Sequence, residues 1–380
     1  MRILLVDWSI TRETPAWASY FIAKQDLLNI GCEFTHLSWR SENDSEDYSI
    51  RLSEIPVPDY LKPLVFCIAA NLYCLKEGLA GRLQRFDVII GNESPIVFAG
   101  VHYLHFSYSH YYLQQKIMPR YELRDQVEDL LVKFVCKPLQ DIVIAISRNK
   151  KIITVSHAIQ TILEKQLLSK TRIYVLPNIS KVNVVKPNLY ADSISRLQMR
   201  SKLGLKTEDM VFSFCCQGHF RRKGFYLAVG ALDRLRRQHQ IKLLIIGGRE
   251  ATITRIKKIL DRYWPEHSEF CVWVGSVADA RVFLDASNAF LFPSYSEAFS
   301  LATIEAASLG LRLYLTPHPG TEMFSSYENK VIMSWDEKEI AKRIAADIKT
   351  NEVSKRSFTP YNGISQNEWA KQWVACLKDN

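Results

Sequence analysis

The stretch Phe290–Gly310, FLFPSYSEAFSLATIEAASLG, decides how the chain is read. A short apolar run ends at Pro293, a polar loop follows, and an Ala- and Leu-rich helical segment opens near Ser300. An apolar run of that length, closed by Pro and followed by a helix, reads as a buried strand of a parallel sheet. A helix that starts where such a strand ends points free backbone N–H groups at the space beyond it, which suits a phosphate. Glu297 lies just before the helix and Glu305 about one turn inside it. Carboxylates so placed can accept hydrogen bonds from sugar hydroxyls. The spacing by itself is weak evidence, because a chain with 22 glutamates produces about one such pair by chance.

Outward from this segment the same alternation recurs. On the N-terminal side, Arg2–Asp7, Phe86–Gly91, Lys151–Val155 and Ile173–Leu176 read as buried strands, with a helix over about Ala16–Ile30. From Asn178 to about Ser195 the sequence turns polar and aperiodic. A second series then begins: strand Val211–Cys215, helix Gly224–Gln238, and strand Lys242–Ile246 running into Gly247-Gly248. Phe270–Val274, Ala289–Phe292, the helix Leu301–Ser308 and Leu311–Leu315 complete it. Two successive Rossmann-like α/β domains follow, with ligand-facing loops at the strand C-termini. The expected division is 1–180, a linker over 181–200, a second domain over 201–357, and a closing segment 358–380. In that last segment Trp369 and Trp373, spaced i, i+4, mark an amphipathic helix over Glu368–Leu377, expected to pack back on the first domain.

Composition narrows the function. With 380 residues, 47% hydrophobic and 23% charged, the chain fits a globular protein of two domains and excludes disordered, collagen-like and disulfide-scaffold classes. The longest weakly charged run, Pro63–Leu75, falls short of the roughly 20 apolar residues of a membrane span. Asp7 interrupts the N-terminus before a signal-peptide core develops, so a cytoplasmic protein is expected, or one peripheral at the inner face of the membrane. The eight cysteines form no CxxC pair and no cluster with histidine, as buried thiols of a reducing compartment would. The net charge of +9 is uneven: residues 1–50 carry 4 basic and 8 acidic groups, residues 151–250 carry 18 and 6. Such a block could face nucleic acid, an anionic membrane or a phosphorylated small molecule. No nucleic-acid-binding motif accompanies it, so nucleic acid is not expected as a partner.

Two further constellations carry chemistry. After the strand VFSFC comes Cys216–Gly224, CQGHFRRKG, whose three consecutive cations taken alone read as a solvated turn. At the mouth of a Rossmann half, however, fixed cations can stabilise a developing negative charge. Val101–His110, VHYLHFSYSH, holds three histidines and two tyrosines. These are either half-buried packing groups on a strand, or include a histidine that orients a hydroxyl or steadies charge. His105 is the stronger candidate and His110 the next.

Pro293, Ser294, Glu297, Glu305, Ala306 and Gly310 together closely resemble the donor-binding signature of family 4 retaining glycosyltransferases, which are also called glycosyltransferases group 1. That resemblance implies the GT-B fold, two facing Rossmann-like domains with a donor and acceptor cleft between them. It implies that Glu297 holds hydroxyls of the transferred sugar and Glu305 the ribose hydroxyls of the nucleotide. It assigns the departing diphosphate to Lys223, in the family's Lys-Gly pair with Gly224, and to a preceding arginine. His219 stands where that arginine is common, so Arg222, and after it Arg221, is the substitute. The run resembles that of lipopolysaccharide-core glucosyltransferases in the same family. Tyr103-Leu104-His105-Phe106 matches the family's Tyr-x-His-aromatic stretch, which places His105 with the catalytic residues Arg222, Lys223 and Glu297. Donor-binding positions follow at Gly218, Gly248, Val274, Ser276, Val277, Phe299, Ser300 and Leu301. HPGTE, His318–Glu322, sits where the family has Gly-Gly-x-x-Glu. The first loop, Ser9–Trp17, lacks the Gly-Gly of many members, and Ser300 replaces a frequent glycine.

The expected activity is therefore transfer of a hexose, with retention, from a nucleotide-diphosphate sugar. A UDP-sugar is favoured, and the acceptor is a hydroxyl of a glycan, a lipid-linked sugar or a small molecule. The nucleotide sugar is a co-substrate, so no cofactor is expected. The 18 aspartates contain no Asp-x-Asp, so no metal is expected either. A nucleotide-sugar epimerase, a sugar phosphorylase and an inactive nucleotide-sugar-binding subunit are the alternatives.

Overall fold

The runs read as strands all lie in parallel sheets, most of them in the interior, because a strand covered on both faces buries side chains of both orientations; Arg172–Val175 and Cys271–Gly275 lie at sheet edges. The computed structural model describes residues 1–12, 14–42, 48–57, 61–167, 171–179, 193–357 and 364–379. The chain divides into two compact units. The first comprises Met1–Leu113, Gln126–Lys181 and Gly363–Asn380; the second comprises Gln114–Asp125 and Val182–Asn362.

The sheet of the first unit has seven parallel strands. Their order is Tyr48–Arg51, Glu33–Ser38, Arg2–Val6, Val88–Asn92, Val101–Leu104, Lys151–Thr154 and Arg172–Val175. Arg2–Val6 sits at the point where the strand order reverses, between Glu33–Ser38 and Val88–Asn92. Three strands here lie outside the buried runs read from the sequence: Val101–Leu104, in the histidine-rich stretch, and two more polar ones. Glu33–Ser38 (EFTHLS) and the edge strand Tyr48–Arg51 (YSIR) mix polar with apolar residues, so neither forms a continuous apolar run. His36 is accommodated in the interior because Tyr20 Oη and Ser41 Oγ take its two ring nitrogens, at 3.0 and 2.7 Å.

The C-terminal helix Gln366–Lys378 belongs to the first unit. Ser365 caps it by accepting from Glu368 N. Trp369 and Trp373 are fully buried and stacked 5.8 Å apart; Trp373 also lies against Phe34, and Trp369 donates to the Pro177 carbonyl at 3.0 Å. Two tryptophans spaced i, i+4 fall on one helix face, which is why this short helix docks.

The second unit carries six parallel strands in the order Cys271–Gly275, Ile241–Ile246, Met210–Cys215, Ala289–Phe292, Arg312–Leu315 and Lys330–Ile332. Its order reverses between Met210–Cys215 and Ala289–Phe292, so the crevice in which doubly wound sheets bind ligands opens at the C-terminal ends of those two strands. Of the linker expected over 181–200, residues 181–192 lie outside the described residues. Residues 193–200 begin the helix Ser193–Lys202. That helix is tied down by its arginines, not by apolar periodicity: Arg200 donates to the carbonyls of Ala286, Lys206 and Asp209.

Two loops meet at the switch point of the second unit. The loop after Met210–Cys215 ends at Gly224, which has φ +77° and opens the helix Phe225–Arg236. A Cβ on Gly224 would collide with the Pro293 carbonyl, in the loop after Ala289–Phe292. Tyr295 N and Ser294 Oγ both donate to the Arg222 carbonyl, at 2.9 and 3.3 Å. Gly218, in the same loop, faces open space and has no such constraint. Gly224→Ala is therefore expected to destabilise the protein in urea titration by more than about 1 kcal/mol, since it adds both a left-handed penalty and a backbone clash. Gly218→Ala should stay within about 0.5 kcal/mol of the parent.

Candidate active site

The basic loop Cys216–Gly224 follows the first strand of the second unit and lies against the start of the loop Pro293–Ser300. Lys223 Nζ forms an ion pair with Glu297, and both side chains are largely buried. The same ammonium lies 5.4 Å over the Phe292 ring. Burial, and after it the adjacent Arg222 charge, push the Lys223 ammonium down to about 7; the Glu297 carboxylate in contact with it acts the other way. Lys223 and Arg222 are thus neighbouring cations, and Lys223 is paired with the Glu297 carboxylate. An anion placed there would relieve the repulsion between them.

The three cations of the loop divide their work. Arg221 is buried, and its guanidinium donates to the carbonyls of Pro119, at 2.7 Å, and Asp125, at 3.4 Å. Arg222 and Lys223 are the two charges adjacent to the Glu297 loop. His219 is the loop's titratable histidine. The neighbouring Arg222 charge, and after it partial desolvation and the Lys223 charge, hold its imidazole down.

Glu297 is fixed through its backbone as well. Its carbonyl accepts from Gly320 N at 2.7 Å, and a Cβ on Gly320 would crowd that carbonyl at 3.2 Å. The Ser294 carbonyl, three residues earlier, accepts from Thr316 Oγ1 at 2.6 Å and from Trp335 Nε1 at 3.0 Å. Ser300 caps the helix Leu301–Ser308 by accepting from Thr303 N, so the first amides of that helix stand at the strand end, with Leu301 its first residue. Phe299 lies buried just before the cap. Glu305 lies one turn inside the helix. Its carboxyl is pushed up to about 7, mainly by burial and partly by Asp279, with Arg281 opposing. Cys215, at the end of the central strand, is close enough to feel its charge.

The remaining expected positions gather at neighbouring strand ends. Gly247 and Gly248 close the strand Ile241–Ile246 with φ +99° and +89°, and a Cβ on Gly247 would collide with the Cys216 carbonyl. Val274 lies in the strand Cys271–Gly275, with Ser276 and Val277 just beyond it. Ser276 Oγ donates to Gln217 Oε1 at 3.0 Å and to the Gly248 carbonyl at 3.2 Å, which binds three strand ends together. Gly218, Arg222, Lys223, Gly248, Val274, Ser276, Val277, Glu297, Phe299 and Ser300 thus lie at strand C-termini of one sheet or in the loops that follow them, and Leu301 and Glu305 in the first turns of the helix after one such loop. Gln217, Gly320 and Trp335 join them without having been singled out. Only the Gly in HPGTE signalled one of these, because the others act through contacts that are distant in sequence.

His105 belongs to the first unit. The strand there covers only Val101–Leu104, and His110 lies in the helix Tyr108–Gln114, so the histidine-rich stretch is not one continuous strand. Glu93, just past Val88–Asn92 with φ +51°, accepts from His105 N at 2.6 Å and from Phe106 N at 2.9 Å. Asp7, at the end of the central strand, accepts from Trp17 Nε1 and Asn92 Nδ2, both at 2.7 Å. Burial pushes Asp7 up to about 7 and Glu93 up to about 8. Burial also pushes the His105 imidazole down to about 3, and among the described residues neither of its ring nitrogens has a hydrogen-bond partner. A neutral imidazole with two open nitrogens can both donate and accept, which suits a hydroxyl ligand.

Known proteins resemble the chain in the sequence of its second unit and in overall fold. Residues 211–349, which include both loops, match the family model of glycosyl transferases group 1. No curated protein sequence matches significantly. Among solved structures the chain is similar to WaaG, a glycosyltransferase involved in lipopolysaccharide biosynthesis, with 14% identity over 98% of this chain and 95% of that one and a TM-score of 0.70. It is similar to Anabaena HepE in complex with UDP and glucose, with 14% identity over the full length of both chains and a TM-score of 0.68. It is also similar to sucrose-phosphate synthase of Thermosynechococcus elongatus, with 19% identity over 99% and 96% and a TM-score of 0.67. Residues 211–349 thus resemble the glycosyl transferases group 1 family, and the chain as a whole has the GT-B fold that these solved structures share.

Proposed function

We propose that the protein is a retaining glycosyltransferase that moves a hexose from a UDP-sugar to an acceptor hydroxyl on a glycan, a lipid-linked sugar or a small molecule. The observation that carries this reading is the pairing of Lys223 with Glu297 at the switch point of the second unit, beside Arg222 and the capped helix that bears Glu305. Glu305 would accept from the ribose hydroxyls and Glu297 from the transferred sugar. Val274, Ser276, Val277 and Gly248 would border the base and ribose. Arg222, Lys223 and the amides near Ser300–Leu301 would hold the diphosphate. Anabaena HepE, of the same fold, has been crystallised with UDP-glucose, which favours uridine as the base.

In this reading no protein nucleophile takes part. The bond from the anomeric carbon to the phosphate oxygen breaks, and negative charge grows on the diphosphate, where Lys223 and Arg222 meet it. The acceptor oxygen bonds to the anomeric carbon from the same face and passes its proton to the departing phosphate oxygen. His105 of the first unit, neutral and open at both ring nitrogens, would orient the acceptor. Fixed cations supply the charge stabilisation, so the reaction is proposed to need neither a divalent metal nor a cofactor.

The exposed face of the first unit supports a further partner. Val127, Leu130, Phe134 and Ile142 form an apolar stripe, open to solvent, along the helical run that continues to Ile146, with Lys133 and Lys137 beside it. No helix among the described residues is long and apolar enough to cross a membrane. We read the stripe as peripheral contact with an anionic lipid surface. The protein should co-sediment with phosphatidylserine-containing vesicles, and Phe134→Glu should abolish this; binding that is unchanged in the variant rules the stripe out.

Label from a radiolabelled nucleotide sugar should move to a second molecule, which an epimerase or a binding subunit would not achieve. Lys223→Ala should fold and still bind donor, yet lose on the order of 10²–10³ in turnover. Full turnover in the folded variant defeats the assignment.

Affinity for UDP should also peak near neutral pH. Below about 7 Glu305 gains a proton and stops accepting from ribose; above about 7 Lys223 loses its proton and stops holding phosphate. In calorimetry against pH, Glu305→Gln should flatten the acid limb. Lys223→Arg, whose guanidinium stays charged, should flatten the alkaline one. A profile flat in the parent protein contradicts both assignments.

A further inference from the structure

One segment reaches the second unit from a distant part of the chain. Gln114–Asp125 lies in sequence between two stretches of the first unit, yet it clusters with Val182–Asn362. Its contacts converge on the basic loop. Arg221 Nε donates to the Pro119 carbonyl at 2.7 Å and Nη1 to the Asp125 carbonyl at 3.4 Å, and the Asp125 carboxylate stands 4.0 Å from Nε. That carboxylate also accepts from Tyr121 N at 2.7 Å and Glu122 N at 3.3 Å, which folds the turn that presents it. The Tyr121 ring sits 4.3 Å from Tyr226, 5.1 Å from Tyr263 and 5.7 Å from Trp264. Glu122 pairs with Arg255. Tyr226 is the second residue of the helix that Gly224 opens, so the segment grips the basic loop at Arg221 and the helix at its first turn.

We infer that Pro119, Tyr121 and Asp125 form a strap of positioning residues for the Arg222–Lys223 pair. The inference rests on the reading of that pair as the diphosphate cradle. Arg222 and Lys223 repel each other, and a loop left to itself would swing them apart into water. Besides the Lys223–Glu297 ion pair, two anchors prevent this. On one side the Arg222 carbonyl is bonded by Tyr295 and Ser294; on the other the strap occupies the Arg221 guanidinium. A planar guanidinium can reach two carbonyls and a carboxylate together, which explains why an arginine rather than a lysine stands at 221. With both anchors in place the two remaining cations are presented in one geometry before any ligand arrives, and that preorganisation favours binding. If Arg221 were itself a phosphate ligand, the strap would instead compete with the diphosphate for it. The two ideas predict opposite signs.

Asp125→Asn separates them. The side-chain amide keeps the volume and still accepts from Tyr121 and Glu122, but it withdraws the charge opposite Arg221. In the ligand-free protein, amide hydrogen exchange over 219–225 should quicken about tenfold while the melting temperature stays close to the parent. Affinity for UDP and for inorganic pyrophosphate should weaken by roughly five- to twentyfold, with that for uridine unchanged, because only the diphosphate meets the loop. Tyr121→Leu, which thins the aromatic stack without touching Asp125, should move the same amides in the same direction. Unchanged exchange over 219–225 in both variants, unchanged diphosphate affinity, or tighter diphosphate binding in Asp125→Asn would each overturn the strap. If the parent protein binds neither UDP nor pyrophosphate while exchange still quickens in the variants, the donor reading fails and the strap stands as the element that fixes the loop.

Discussion

The close approach of Gly224 to the Pro293 carbonyl is the constraint on which the candidate site depends. It brings the loop after the first strand of the second unit against the loop after the fourth. Everything that carries charge there hangs from that junction. Arg222 shows its carbonyl to Tyr295 and Ser294, Lys223 reaches Glu297, and Glu297 is held from behind by Gly320. A side chain on Gly224 would push the loops apart and separate the cation from its carboxylate. The left-handed backbone of Gly224 and the absence of its Cβ are thus a single requirement met by a single residue.

The two units treat the corresponding place in their sheets in opposite electrostatic ways. Each has a parallel sheet whose strand order reverses beside its first strand. At that point the second unit gathers cations, whose mutual repulsion suits an incoming anion. The first unit gathers acids: Asp7 and Glu93, buried and held toward their protonated forms, spend their oxygens on Trp17, Asn92 and the amides of residues 105 and 106. Those carboxyls fix backbone and indole, while both ring nitrogens of His105 are without a hydrogen-bond partner among the described residues. In the sugar transfer proposed above, the first unit would meet the acceptor hydroxyl and the second the charged donor.

Much of this was legible in the residues. Continuous apolar runs marked the central strands of both sheets, because a strand buried on both faces must be apolar at every position. Pro293, Glu297 and Glu305 marked the strand–loop–helix unit, and Trp369 with Trp373 marked the last helix. The edge strand Tyr48–Arg51 and the mixed strand Glu33–Ser38 escaped, since an element partly exposed or satisfied by polar partners need not show either period. The helix Ser193–Lys202 escaped for a related reason: arginines bonded to distant carbonyls hold it, and polarity in sequence looks the same as a linker.

What the sequence determined by itself, then, is the alternation of elements, the two-domain α/β class and the residue types gathered near the strand ends. Those features follow from period and burial, which act locally. Which of three consecutive cations serves which purpose was decided only by the tertiary structure. Arg221, Arg222 and Lys223 are adjacent in the chain and alike in charge, and nothing local distinguishes them. Pro119 and Asp125, about a hundred positions earlier, take the first guanidinium, and Glu297, more than seventy positions later, takes the ammonium. A charge acquires its role from the partners that burial forces on it, and those partners are chosen by packing between segments far apart in sequence.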